Sequence, residues 1–113
     1  MNLNKLIIDT LKPLGVPVAF ANYNQTADTY IVFIEYNQVP QLNADDNELI
    51  TKYLFQVDIF SRTNYLQLVK DVKEQMKKAG FIRLLEFETY EDEMQMYRKT
   101  FRFRYDNKIE EEY

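Results

Sequence analysis

The side chains in this chain that are able to make or break bonds are few, and the commonest kinds are missing. There is no histidine and no cysteine, which removes the most frequent general base, the thiolate nucleophile and the ligands zinc favours. Ser61 stands alone at the entry to a helical stretch with no base to activate it, so its hydroxyl, or that of Thr63, reads as a helix cap. Gly15 and Gly80 are the only glycines, too few for a phosphate-cradling loop. Asp45-Asp46 with Glu48 offers hard oxygen ligands, but the stretch lacks the alternating ligands, the glycine and the closing glutamate of a calcium loop. It reads as a solvated loop. Glu91-Asp92-Glu93 pairs carboxylates as a glycosidase does, yet falls on a hairpin tip with no cleft around it. Hydrolase, kinase and dehydrogenase chemistry fall away together, and neither a metal nor a cofactor is expected.

Cations offer a different possibility. Arg98, Arg102 and Arg104 project to one side of MYRKTFRFRY, with Lys99 on the other. Paired with Glu86, Glu88 or Asp58 of neighbouring strands they are structural. Unpaired, they form a positive strip for a polyanion or an acidic partner surface. The available opposite charges favour pairing.

The elements that must hold these groups follow from periodicity. Leu3, Leu6, Ile7, Thr10, Leu11 and Leu14 mark one face of a first helix, capped by Asn2 or Asn4 and ended by Pro13-Leu14-Gly15. Val16–Phe20 is a short strand, Asn22–Asp28 a polar turn, and Thr29–Tyr36 (TYIVFIEY) a strand apolar on both faces. Asn37–Asn47 reads as a long polar loop. In Leu49–Phe60, Tyr53, Phe55, Val57 and Ile59 share one face while Lys52, Gln56 and Asp58 take the other. Tyr65 or Leu66, Val69, Val72, Met76 and Ala79 stripe a second helix that ends at Gly80. Phe81–Tyr90 and Met96–Tyr105 form a hairpin; centred near Met94, it sets Phe87 opposite Phe101, Leu85 opposite Phe103 and Glu86 opposite Arg102. The expected class is α+β: a mainly antiparallel sheet of about five strands with both helices on one face, in the order α-β-β-β-α-β-β. Residues 1–105 form one domain and 106–113 a charged, frayed tail.

Composition bounds the function. Of the 113 residues, 46% are hydrophobic and 28% charged, as in globular domains. The net charge of −4 argues against a general nucleic-acid binder. No signal peptide or membrane-spanning run is apparent, so a soluble, intracellular chain is expected. Aromatic residues reach 15%, and Tyr23, Tyr30, Tyr36, Tyr90 and Tyr97 cannot all lie in a deep core. Exposed tyrosines suit protein–protein surfaces.

The succession GVPVAF, TYIVFIEY, YLFQVDIFSRTNYLQLVKDVKEQMKKAGF and YEDEMQMYRKTFRFRY, from about Leu3 to Tyr105, resembles small neck proteins of long-tailed bacteriophages and prophages. These belong to the tail terminator or tail-to-head joining group. The resemblance implies an α+β subunit that assembles with copies of itself, commonly as a hexameric ring, on the end of the tail tube. The tail tube protein and the head connector or neck proteins are its implied partners, and DNA passes through the lumen without specific binding. The chain would sit in the host bacterial cytoplasm during assembly and in the virion afterwards. The resemblance carries no catalytic residues. It places assembly loops at Tyr23, Asn24 and Gln25 and at Val39, Pro40, Gln41, Leu42, Asp45 and Asp46. Two alternatives stay open: a head-completion or minor capsid protein of the same neck, and a small non-viral ligand-binding or regulatory domain.

Overall fold

The structure, a computed structural model, describes residues 2–42 and 49–108. Helix α1 (Leu3–Leu11) starts where the Asn2 side chain accepts a hydrogen bond from the Lys5 N–H at 3.0 Å, satisfying a first-turn donor that has no helical partner. Leu3, Ile7 and Leu11 form its buried stripe. A 3-10 turn over Lys12–Leu14 and Gly15 at φ +87° then stop it. Strands β1 (Val18–Phe20), β2 (Thr29–Leu42) and β3 (Leu49–Ser61) lead to α2 (Leu66–Lys78), followed by β4 (Ile82–Glu91) and β5 (Met96–Lys108). The sheet order is β1-β2-β3-β5-β4; β1 runs parallel to β2 and every other pair is antiparallel. The α+β class and the order of elements are therefore as the periodicities predict.

One face of the sheet is covered and the other is open. Ile31 and Phe33 of β2, Phe55, Val57 and Ile59 of β3, and Phe101 and Phe103 of β5 alternate onto the covered face, where they pack with Leu3, Ile7, Leu11, Val72 and Met76 of the two helices. Phe33, Phe55, Phe101 and Phe103 are its largest side chains, all essentially buried. Burying such an aromatic contributes roughly 1.5–3 kcal/mol, and this layer holds the domain together.

Four local readings change. The stretch Asn37–Leu42 is strand: β2 passes a bulge between Glu35 and Asn37 and continues, with Val39 opposite Lys52 and Pro40 opposite Thr51. Its polar composition resembles a loop, but pairing with β3 satisfies its backbone. Among the described residues no strand pairs with β2 beyond Phe33 on the side away from β3, so Pro40 lies on an edge there, where proline is tolerated. The β4–β5 hairpin is shifted by one residue, so that Glu86 faces Phe101, Phe87 faces Thr100 and Leu85 faces Arg102. The turn closes at Glu91 opposite Met96, and a bulge between Arg83 and Leu85 resets the ladder. The N-cap of α2 is Tyr65, which makes no side-chain capping bond; the Oδ1 of Asn64 just before it accepts from the Leu66 N–H at 3.0 Å. Ser61 instead accepts from the Thr63 N–H at 3.1 Å and lies 2.8 Å from the Thr29 hydroxyl. Finally, β5 runs to Lys108, three residues into the stretch read as tail.

Gly80 ends α2 at φ +103°, and a Cβ there would meet Tyr105 Cε2 at 3.3 Å. Left-handed backbone costs an L-residue about 1–2 kcal/mol. Gly80→Ala should therefore lower the urea unfolding free energy by more than that amount, because the Tyr105 ring must also give way, whereas Gly15→Ala, with no atom within 4 Å of its Cβ, should carry the backbone cost alone.

Candidate interaction surfaces

The open face has a polar spine along β3 and β5. Asp58 is only 6% exposed, and its carboxylate accepts from Thr100 Oγ1 at 2.5 Å, Arg98 Nε at 3.0 Å and Gln56 Nε2 at 3.0 Å. Arg98 also reaches Glu91 at 3.0 Å and lies over the Phe60 ring at 5.3 Å. The Asp58 hydrogen bond, with the Glu91 contact, outweighs burial and raises the guanidinium pKa. Arg102 donates to Gln56 Oε1 at 3.1 Å and sits over the Tyr36 ring at 4.7 Å. Arg104 Nε lies 3.0 Å from Asp106 Oδ1. The three arginines project from one side of β5; Arg98 and Arg102 are hydrogen-bonded within the sheet, whereas the buried Arg104 Nε faces Asp106 without forming a hydrogen bond.

The predicted assembly residues separate. Tyr23 is half-buried and stacks on Tyr30 at 4.6 Å between centroids, and Tyr30 stacks on Phe60 at 5.0 Å, so the polar turn is pinned to the open face by an aromatic ladder. Asn24 and Gln25 are exposed. Val39 and Pro40 are exposed on the free margin of β2, and Gln41 and Leu42 continue that strand opposite Ile50 and Leu49. Asp45 and Asp46 lie outside the described residues.

Sequence reasoning missed the other margin. The one-residue shift turns the apolar side chains of β4 outward, leaving Leu85 41% and Phe87 47% exposed on the open face. Ile82 and Leu84 are exposed with them. The adjacent Leu84-Leu85 pair was the available signal, because two neighbouring apolar residues break a strict alternation and fit a bulge. Across the sheet, Ile34, Tyr36 and Val39 expose a second apolar margin on the same face of β2. Single exposed apolar residues are ordinary, but a group of them along an unpaired strand edge marks a contact surface.

The shift also carries Glu86 onto the covered face, beside cations. Lys73 Nζ and Lys99 Nζ each approach it at 2.9 Å, and Arg83 is hydrogen-bonded to it. Burial acts to raise the Glu86 pKa, but the two ammonium groups outweigh it and bring it from 4.5 to about 2. A folded-state pKa below the unfolded one gives stability that is complete above about 4.5 and is lost as pH falls towards 2. Glu86→Gln should flatten stability in that window and remove about 1–2 kcal/mol at neutral pH, readable as a shallower acid limb in urea titrations. Nearby, burial and the hydrogen bond to Glu88 push the Tyr65 phenol well above its ordinary pKa.

Among the described residues no cluster of three or more His, Cys, Asp or Glu is placed to hold a metal ion, and no helix is long and apolar enough to cross a membrane. Their surfaces present contact area and charge.

No protein-family model and no curated protein matches the chain. Among solved structures, a chain of the "Virion of native gene transfer agent (GTA) particle" shares its fold, with a TM-score of 0.57 over 90% of this chain and 84% of that one at 14% sequence identity.

Proposed function

We propose that this chain is a structural subunit of a phage-like particle, assembling head-to-tail as a ring on the tail end, where it closes the tail tube and presents a surface to the head connector. The observation that carries this reading is the pair of dissimilar apolar margins, Ile34, Tyr36 and Val39 on β2 and Ile82, Leu85 and Phe87 on β4. They lie at opposite sides of one sheet. Two unlike sticky sides joined copy to copy make a heterologous contact, which closes into a ring when the rotation per subunit divides a full turn. The fold shared with a virion chain supports the same reading, and so does a set of polar groups engaged in pairing. A ring at the tail end also accounts for an acidic chain near DNA: a net charge of −4 discourages retention of the passing duplex.

Negative-stain microscopy of the purified chain with and without tail tubes tests this. Rings capping tube ends are the expected result. A chain that stays monomeric and leaves tubes uncapped overturns the reading, and one that binds a portal complex but no tube replaces it with head completion.

A further inference from the structure

Between α2 and the start of β4 lies a groove of about 620 Å³, within the range of sites that hold a ligand, roughly 300–1,000 Å³. It opens on the helix side of the sheet, the side that carries Phe103, whereas Leu85 and Phe87 face the other way. Lys70, Lys73 and Lys77 line it from one face of α2, and Arg83 lines it from β4. These cations are unequally matched. Lys73 and Arg83 share Glu86, and Glu74, an acid of the lining, is held by Lys78 at 3.0 Å. Lys70 and Lys77 are exposed and have no ion pair among the described residues. A chain of net charge −4 has thus gathered uncompensated positive charge at this groove. Ile82, 45% exposed, stands beside them, next to the buried Phe81 and Phe103.

Two free ammonium groups beside an apolar side chain select an occupant that brings both carboxylates and an apolar group. An extended peptide does so. Its alternate residues stand about 6.7 Å apart on one side, and Lys70 and Lys77 are about 10.5 Å apart along α2, so acids at alternate positions reach both. A duplex backbone could approach the lysines but has no apolar group to set against Ile82. A second copy could offer Asp92 and Glu93, which are exposed in the β4–β5 turn and have no side-chain partner among the described residues. That turn is at the wrong level. Glu91 pairs with Met96 and Ile82 with Arg104, so the turn lies about 26 Å along the strands from the groove. Ile34 and Val39 are level with the groove instead, because they pair with Gln56 and Lys52, on either side of the Leu54 that faces Arg104. Copies joined through their apolar margins therefore stand level and hold their acidic turns away from one another's grooves. A ring subunit with both margins engaged must also meet its tube or connector through a further surface.

We propose that the α2–β4 groove receives an extended acidic segment of a different protein of the same particle, its carboxylates meeting Lys70 and Lys77 and an apolar side chain meeting Ile82. That the segment belongs to another protein of the particle rests on the ring reading above. The preference for acids rests on the groove's own residues.

Fluorescence anisotropy on the full chain tests it with a labelled peptide of alternating glutamate and leucine. The comparison probes are the same peptide with lysine for glutamate, one with serine for leucine, and a labelled DNA duplex. The glutamate–leucine peptide should bind in low salt and weaken as salt rises. The serine peptide should bind less tightly and the lysine peptide not at all. Lys70→Glu/Lys77→Glu should weaken binding at least about tenfold, with unchanged circular dichroism. Lys70→Gln/Lys77→Gln, which adds no repulsion, should act in the same direction by less. Ile82→Ser should weaken the leucine peptide and leave the serine peptide as it was. Absent binding, or binding indifferent to the lysine changes, would overturn the proposal. A duplex that binds through these lysines where the acidic peptide does not would assign the groove to nucleic acid and overturn it too. Self-association lost on lysine reversal would overturn it in favour of a second copy. Peptide binding that needs the lysines, without rings on tail tubes, would keep the groove and discard the tail-end role. Tube-capping rings that bind no acidic peptide would do the opposite.

Discussion

Asp58→Ala is expected to destabilise the chain by about 2–3 kcal/mol, the range for losing charge-assisted hydrogen bonds and leaving a buried hydroxyl without its acceptor. Asp58 sits mid-strand in β3, opposite Thr100, and is 6% exposed even though it points to the open face. Arg98, Thr100 and Gln56 all converge on its carboxylate. Without it, a guanidinium lying over Phe60 loses one of its two anions, Glu91 remaining, and a buried threonine hydroxyl loses its acceptor. Urea denaturation measures the loss directly. Asp58→Asn keeps an acceptor in place but not the charge, so it should fall between the parent and the alanine variant. Replacing Asp58 and Arg98 together should cost less than the sum of the single changes, since neither is then left unpaired. A loss under about 1 kcal/mol for Asp58→Ala would mean that solvent already screens the network.

Leu85→Asp combined with Phe87→Asp is expected to leave the fold standing and remove assembly. Both side chains are more than two-fifths exposed, so their loss takes little from the core, and thermal midpoints should move by only a few degrees. At an interface each is an apolar anchor, of the kind whose truncation costs 2 kcal/mol or more. A carboxylate there adds the cost of burying a charge. Self-association by sedimentation should therefore drop at least about thirtyfold. The control is Leu66→Asp, which is 65% exposed but lies at the start of α2, away from the open face, and should change neither property. Unaltered association of the Leu85/Phe87 variant would remove the β4 margin from the assembly and leave the β2 margin to be explained separately.

The candidate surfaces were legible only in part. The arginine alternation in MYRKTFRFRY puts Arg98, Arg102 and Arg104 on one side of the strand, because a two-residue period survives any choice of partner. The partners themselves did not follow. Glu86 was matched with Arg102 from a hairpin centred one residue away, whereas it faces Phe101 and is held by Lys73 from α2. Tyr23 read as a free loop residue, yet it stacks on Tyr30, a contact between segments that no local pattern reveals.

What this sequence determined unaided is the kind and order of its elements. The leucine spacing in α1, the stripe Val69–Val72–Met76 in α2 and the alternation Tyr53–Phe55–Val57–Ile59 in β3 each carry one apolar face, and that face can be buried in only one way. Tertiary structure decided the strand margins. β4 has apolar residues in both phases, Leu84 in one and Leu85 and Phe87 in the other, so its register was left to the turn that closes at Glu91–Met96 and to the cations that receive Glu86. Asn37–Leu42 became strand only because β3 was beside it to pair with. Periodicity records which side of an element meets the core; an edge strand meets the core weakly, so its placement depends on neighbours that its own residues do not encode.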